Sequence, residues 1–196
     1  MMRRRTGLIL GAALAVLVPL GGALWILVDQ QAQNALTGAD FGKGDYRLVT
    51  TEGEPFTQAS LSGAPSLVFF GFTHCPDVCP TTLGDIALWQ DELGAEAQGL
   101  RVFMVSVDPN RDRPEVLGDY IGWLPGAVGV TGSEAESLKA QRAFRVFSRK
   151  VPLQDGDYTM DHSSSVLVFD ASGAFVTNIP YQSPPEVALD RIRQAL

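Results

Sequence analysis

Two continuous apolar stretches constrain the fold of this chain more than any other feature of its sequence. Residues 66–72 read SLVFFGF and residues 100–107 read LRVFMVSV, and Arg101 is the single charged residue within these two stretches. Runs of this length suit β-strands that are buried on both faces, as parallel strands covered by helices are. Helical patterns follow both stretches, so the sequence predicts an α/β domain in which helices pack on a central sheet.

Weaker patterns complete the predicted order of elements. Ser133 and Glu136 form a capping-box pattern ahead of a helix, and DASG at 170–173 is typical of a hairpin turn. The resulting order, β-α-β-α-β-α-β-β-α, is that of a thioredoxin-like sheet, although by itself it supports no more than the α/β class. The remaining predicted elements are a leading hairpin at 46–50 and Phe56, helices over about 81–97, 114–123, 133–147 and 183–196, a short strand at 128–130, and strands at 166–169 and 174–177.

The N-terminal residues are expected to lie outside this domain. Three arginines at positions 3–5 precede residues 7–28, which carry no charge. A bilayer core is spanned by about 20 apolar residues, whereas the apolar region of a cleavable signal peptide has about 7–15. We therefore expect a cytoplasmic tip and membrane anchor over 1–28, a linker over 29–43 and an exported domain over 44–196. Cleavage after Ala32 or Ala35 is the competing interpretation.

The charge of the chain disfavours nucleic acid as a partner. The formal net charge is -7, and the residues after Asp29 carry 12 basic and 21 acidic side chains. Nucleic-acid binding requires a basic surface, so a domain this acidic is a poor candidate for it.

The two cysteines, Cys75 and Cys79, lie in the sequence HCPDVCP directly after the first apolar stretch. A disulfide between them would close a very short loop and contribute little to stability. A thiol at the N-terminus of a helix has a lowered pKa, which favours the thiolate. The pair is therefore interpreted as reactive or metal-binding rather than as a structural disulfide.

His162 is the candidate for a third ligand. It lies in DYTMDHSSS, just before the strand at 166–169, in a loop that approaches the cysteine turn in a thioredoxin-like sheet. Two thiolates and an imidazole would select Cu(I) or Zn(II) over hard cations. Asp161 or a backbone carbonyl would then hold the ring. His74 is adjacent to Cys75 and is expected to point to the opposite side.

For three further residues near these motifs the sequence predicts a structural role or leaves the role open. Asp108 follows the second apolar strand, where the sites of α/β sheets gather, and is either an outer partner of the site or the start of a turn. Met160 and Tyr158 are expected to pack rather than to bind.

Three separate blocks resemble one protein family. GFTHCPDVCPTTL resembles the signature of the Sco/SenC copper proteins, and SVDPNRDRPEVL and DYTMDHSSS resemble two further blocks of that family. The resemblance runs from about residue 42 to the C-terminus. It implies a thioredoxin-like fold that binds one copper ion, as Cu(I), Cu(II) or both, through Cys75, Cys79 and His162. It also implies a copper metallochaperone that serves the dinuclear copper centre of cytochrome c oxidase subunit II.

The resemblance also indicates a cellular location and partners, and it leaves alternative functions open. The expected location is the bacterial inner membrane with the domain in the periplasm, since the chain starts without an amphipathic transit peptide. Expected partners are subunit II and another periplasmic copper chaperone or a thioredoxin-like reductant. The main alternative is a thiol–disulfide oxidoreductase in which Cys75 attacks and Cys79 resolves. A zinc site is a further alternative, and a peroxidase is disfavoured because no arginine stands beside Cys75 in the sequence.

Overall fold

The structure is a computed structural model that describes residues 40–154 and 156–196. The predicted anchor and most of the predicted linker lie outside these residues. Among the residues described, no helix has both the length and the apolar character needed to cross a membrane. The residues Phe41–Leu196 form one unit, and Phe41 belongs to it because its ring stacks on Phe175 at a centroid distance of 4.2 Å.

A helix follows each of the three central strands, and four strands then follow one another before the last helix. The helices are α1 (Val78–Leu93), α2 (Pro114–Ile121), α3 (Glu134–Ala143) and α4 (Pro185–Arg193), with short 3-10 helices at Gln58–Leu61 and Gly94–Ala97. The strands are β1 (Leu48–Thr50), β2 (Pro55–Phe56), β3 (Ser66–Gly71), β4 (Arg101–Ser106), β5 (Ala127–Thr131), β6 (Ser148–Pro152), β7 (Tyr158–His162), β8 (Val166–Phe169) and β9 (Phe175–Ile179).

The main sheet has seven strands in the order β2-β1-β5-β4-β3-β8-β9. Its centre is parallel, since β3 pairs with β4 and β4 with β5 in that sense, while β1 and β8 pair antiparallel to their neighbours. Every residue of β3 is buried, as is every residue of β4 after Arg101. The prediction of a mixed α/β sheet flanked by helices, with the two apolar stretches at its centre, is therefore confirmed.

Aromatic side chains fill the core on one face of the sheet. Phe144, which ends α3, is fully buried, and its ring centroid lies 5.1–5.8 Å from those of Tyr46, Phe70 and Phe169. Aromatic rings at such distances and tilts contribute beyond the apolar area that they bury. This cluster joins the leading hairpin, the central strand β3 and strand β8 through one side chain.

The start of α3 follows the prediction in part, and its end does not. The Ser133 hydroxyl accepts a hydrogen bond from the Glu136 N–H, as a helix cap does, but the Glu136 carboxylate accepts the Arg47 N–H at 2.7 Å instead of returning to Ser133. The helix was expected to reach residue 147 and ends at Ala143, because Arg145 adopts φ 52°, outside the helical region.

Two other differences from the predicted elements affect the functional residues. The hairpin of β6 and β7 was not predicted at all, and it places His162 at the end of a strand rather than in a loop. Helix α1 begins at Val78, three residues before the predicted start near Thr81. Cys79 is therefore part of the first helical turn.

The close packing of α2 on β5 can be tested with two glycines. An added Cβ would meet no atom within 4 Å at Gly84 in α1, but at Gly129 in β5 it would lie 2.7 Å from Leu117 Cγ and from Thr51 Cγ2. We expect Gly84→Ala to raise the free energy of unfolding by about 0.5–1 kcal/mol, because glycine loses more backbone entropy on folding than alanine. Gly129→Ala should lower it by about 1–3 kcal/mol through overpacking.

Urea denaturation of both variants under reducing conditions checks this expectation. A Gly129→Ala variant as stable as the parent protein would show that α2 does not press on β5 in this way.

Candidate metal and thiol site

The cysteine loop forms where β3 gives way to α1. The Cys79 side chain is fully buried at the second position of the helix, and Cys75 lies half-buried in the loop before it. Gly71, the last residue of β3, leaves the space for this sulfur. A Cβ at Gly71 would lie 3.1 Å from Cys79 Sγ and 2.7 Å from the ring of Phe69. The buried thiol thus depends on a glycine at the end of the strand.

The two thiols are free, and their environments are unequal. A hydrogen bond from the Cys79 side chain is the largest of the effects that lower the pKa of Cys75 to about 4. Burial of Cys75 opposes this lowering. Hydrogen bonds with His162 and with the Cys79 N–H, which lies 3.3 Å from Cys75 Sγ, lower the pKa further. The same hydrogen bond and burial raise the pKa of Cys79. The surroundings therefore favour the thiolate at Cys75 and the thiol at Cys79.

His162 presents one ring nitrogen to the sulfurs. Its Nε2 lies 3.6 Å from Cys79 Sγ, and its Nδ1 lies 2.9 Å from the carbonyl oxygen of Ser163. A carbonyl can only accept, so in this contact Nδ1 carries a proton, and Nε2 is the ring nitrogen that faces the sulfurs. Of the two partners considered from the sequence, the backbone carbonyl holds the ring. Asp161 instead pairs with Arg149, at 2.7 Å.

The structure brings the three predicted ligand residues together. The sulfurs of Cys75 and Cys79 and a ring nitrogen of His162 all lie within 4.8 Å of one another. His74 is excluded from this cluster, because its side chain is exposed and its Nδ1 lies 3.0 Å from the Thr73 hydroxyl. The prediction that His74 faces away from the sulfurs agrees with this geometry.

Asp112 is a functional residue that the sequence analysis missed. Its carboxylate is fully buried and accepts hydrogen bonds from the Thr73 hydroxyl at 2.6 Å, the Thr73 N–H at 3.2 Å and the Ser106 hydroxyl at 2.6 Å. Burial raises its pKa, an effect that these hydrogen bonds oppose. The carboxylate thus fixes the backbone two residues before Cys75. Its position just past β4, beside the end of β3, is the signal that could have identified it.

The structure shows the contacts of Asp108 and the position of Met160. Asp108 is fully buried and accepts a hydrogen bond from the Tyr158 hydroxyl at 2.8 Å, so it contacts the strand that carries His162 and is more than the start of a turn. Met160 is buried and belongs to the hydrophobic core, in agreement with the expectation that it packs.

A cleft of about 280 Å³ opens onto Cys75 and His162, while Cys79 lies buried behind them. Soft ligand atoms at the bottom of an accessible cleft can bind a soft metal ion, or they can react as thiols with a second molecule. Besides Cys75 and His162, the cleft is lined by Phe72, Pro76, Asp77, Val78, Thr159, Met160, Asp161 and Ser164.

Fold and site together define a class of protein: a thioredoxin-like domain with a paired-cysteine and histidine site at the end of its central strand. The family model described as SCO1/SenC matches residues 34–196. The copper-bound structure of ScoI from Bradyrhizobium japonicum superposes with a TM-score of 0.71 at 38% identity, over 80% of this chain and 99% of that chain. Copper-bound yeast Sco1 superposes with a TM-score of 0.71 at 31% identity, over 79% and 87% of the two chains.

Sequence comparison agrees with the structural one. An SCO2-like protein of Rickettsia felis is 33% identical over 153 residues, which is 76% of this chain and 75% of that relative. The chain therefore belongs to the SCO1/SenC family.

The unequal thiols lead to a prediction on their reactivity. Because the pKa of Cys75 is lowered to about 4 and that of Cys79 is raised, iodoacetamide should modify Cys75 of the reduced, metal-free protein at a rate that is constant from about pH 6 to 8. Cys79→Ala removes the main hydrogen bond to Cys75, so it should shift the onset of alkylation to higher pH. Mass spectrometry of the labelled peptides measures both effects, and a rate that rises steadily through pH 8.5 would contradict the assignment.

Proposed function

We propose that this protein binds one copper ion through Cys75, Cys79 and His162 and delivers it to the dinuclear copper centre of cytochrome c oxidase subunit II. The family to which the chain belongs consists of copper-binding proteins of cytochrome c oxidase assembly. The observation that carries the proposal for this chain is the meeting of two sulfurs and one imidazole nitrogen within 4.8 Å.

The donor set fits copper better than the other candidate ions. Thiolate and imidazole are soft or borderline ligands, which suit Cu(I), Cu(II) and zinc and disfavour magnesium and calcium. Structural zinc sites almost always use four protein ligands. Within the described residues, three His, Cys, Asp or Glu side chains converge at this point. The Nδ1–H bond of His162 to the Ser163 carbonyl orients the ring so that Nε2 is the nitrogen available to the metal.

The position of the ligands in the fold supports release as well as binding. Cys79 is fully buried, whereas Cys75 and His162 line the cleft and are half-exposed. Thiols of a target can therefore reach the ion from the side of Cys75 and His162 and replace these ligands one at a time. In such an exchange each bond to this protein breaks as a bond to the target forms, and the ion keeps its oxidation state.

Copper titration of histidine variants tests the ligand assignment. Loss of an outer partner of a metal ligand costs about 10–100-fold in affinity, so we expect His162→Ala, which removes a ligand itself, to weaken Cu(I) binding by at least about 100-fold. His74→Ala is the matched control, because His74 adjoins the same motif but lies outside the cluster. It should bind copper like the parent protein, with one ion per chain. Equal affinities for His162→Ala and the parent would refute the assignment.

The unequal thiols favour one second function, the reduction of a specific disulfide. The Cys75 thiolate would attack one sulfur of the target disulfide, and the other target sulfur would leave as a thiolate. Cys79 would lose its proton and attack Cys75 in the mixed disulfide, which leaves a Cys75–Cys79 disulfide and a reduced target. A thioredoxin-like reductant would then have to restore the thiols.

Copper-free turnover separates the two functions. If the protein without copper reduces its target or insulin catalytically, and His162→Ala reduces it equally well, disulfide reduction is the better assignment. If turnover is absent and copper binding depends on His162, copper delivery is the better assignment.

We further propose that the domain faces the periplasm from a single anchor in a bacterial inner membrane. The support is the uncharged stretch at 7–28 behind three arginines, which are expected to stay in the cytoplasm. Partners would then be subunit II of the oxidase and a periplasmic copper donor. Protease added to spheroplasts should digest the domain, and full protection would exclude this location.

A further inference from the structure

The strand that carries His162 lies outside the main sheet. Strands β6 and β7 pair only with each other, and of their ten residues Met160 alone is buried. An isolated two-stranded hairpin is marginally stable in water. Contacts from outside the hairpin are therefore needed to keep His162 at a fixed distance from the cysteines.

Three residues supply such contacts at the start of β7. The Tyr158 hydroxyl donates to Asp108 Oδ1 at 2.8 Å, and Arg111 Nη1 donates to the Tyr158 carbonyl oxygen at 2.9 Å. Arg111 Nε donates to the other oxygen of Asp108, and its guanidinium carbon lies 3.8 Å from the centre of the Tyr158 ring. The side chain and the backbone of Tyr158 are thus both held. The Asp108 carboxylate, which accepts hydrogen bonds from Tyr158 and Arg111, is fully buried.

These contacts reach His162 through the geometry of the strand. Side chains two residues apart on a strand share a face, so Tyr158, Met160 and His162 all point to the domain. Asp161 points outward, where it is exposed and pairs with Arg149. A shift of Tyr158 along or away from the domain would therefore move His162 in the same direction.

The same short segment also holds the cysteine loop. Asp112 fixes Thr73, two residues before Cys75, and the Ser106 hydroxyl both donates to Asp112 at 2.6 Å and accepts the Asp108 N–H at 2.9 Å. The segment after β4 is thus bonded to both arms of the site. It sets the distance between the cysteines and the histidine, although it contributes none of the three ligands.

We propose that Asp108, Arg111 and Tyr158, here called the clasp, are positioning residues that hold β7 so that His162 completes the copper site. This inference rests on the proposed function, because it assigns the clasp to the placement of one of the three ligands. Loss of the clasp frees the hairpin and leaves a site that binds copper through the two cysteines alone.

The test uses graded variants of the clasp and a control on the same hairpin. Arg111→Gln removes the guanidinium fork and should weaken Cu(I) binding by about 10–100-fold, the usual effect of losing an outer partner of a metal ligand. Tyr158→Phe keeps the ring and loses one hydrogen bond, so it should weaken binding by about five-fold. Arg149→Gln breaks the exposed ion pair on the outer face of the hairpin and should bind copper like the parent protein.

A double-mutant cycle distinguishes positioning from a general loss of structure. In a His162→Ala background the clasp has no ligand left to place, so adding Arg111→Gln should not weaken copper binding further. The Cu(II) spectrum of Arg111→Gln should also approach that of His162→Ala. A further ten-fold loss of affinity in the double variant would overturn the proposal, because the clasp would then act on the cysteines or on the fold as a whole.

Hydrogen exchange of the copper-free protein provides a readout that needs no metal. Amides of β7 should exchange at least about ten-fold faster in Arg111→Gln and unchanged in Arg149→Gln, while amides of β3 and β4 keep their protection. Unchanged exchange in β7 would refute the clasp even if copper binding proved dependent on His162. Faster exchange with copper binding independent of His162 would refute the copper site and the ligand-placing role, and would leave a hairpin anchor.

Discussion

The parallel pairing of β3 with β4 is the constraint on which the site depends. Gly71 pairs with Ser106 at the ends of the two strands, so the segments that follow them emerge side by side from one edge of the sheet. One segment carries the cysteines and the other carries Asp108 and Asp112. Hydrogen bonds from Thr73 to Asp112 join them directly. A buried carboxylate is costly to place, and this register lets Asp112 lie within hydrogen-bonding distance of Thr73, which follows the neighbouring strand.

The central part of this arrangement was predictable from the sequence, and the periphery was not. The uninterrupted apolar runs identified β3 and β4 because strands buried on both faces leave a local signal. The hairpin of β6 and β7 leaves almost none: Met160 is its single buried residue, and Pro152 and three charged residues lie in its strands. The three ligand residues were found by residue type and motif. The contacts of Asp112 and Arg111 could not be predicted from the sequence, because tertiary packing brings together positions that are 39 and 47 residues apart.

The chemistry of the site follows from how differently its ligands are enclosed. Cys79 is inside the core beside Gly71, where its pKa is raised, while Cys75 is half-exposed and its pKa is lowered. Phe69 and Phe72 lie edge-on to His162, at 6.2 and 5.7 Å between ring centres, and keep it against the domain. A metal ion and a disulfide would both use the same pair of sulfurs, so each excludes the other. Copper loading therefore depends on the reduced state of the thiols.

The first residues of the domain lie far from the sulfurs, which has a consequence for how a partner can approach. Phe41 stacks on Phe175, and Gly42 lies against the ring of Phe169, which pairs with Ser66 at the beginning of β3. The sulfurs are at the other end of that strand, about 17 Å away at 3.3 Å per residue. A partner that docks over the sulfurs therefore meets the end of the domain opposite to Phe41 and Gly42, and its contacts there need not involve these first residues.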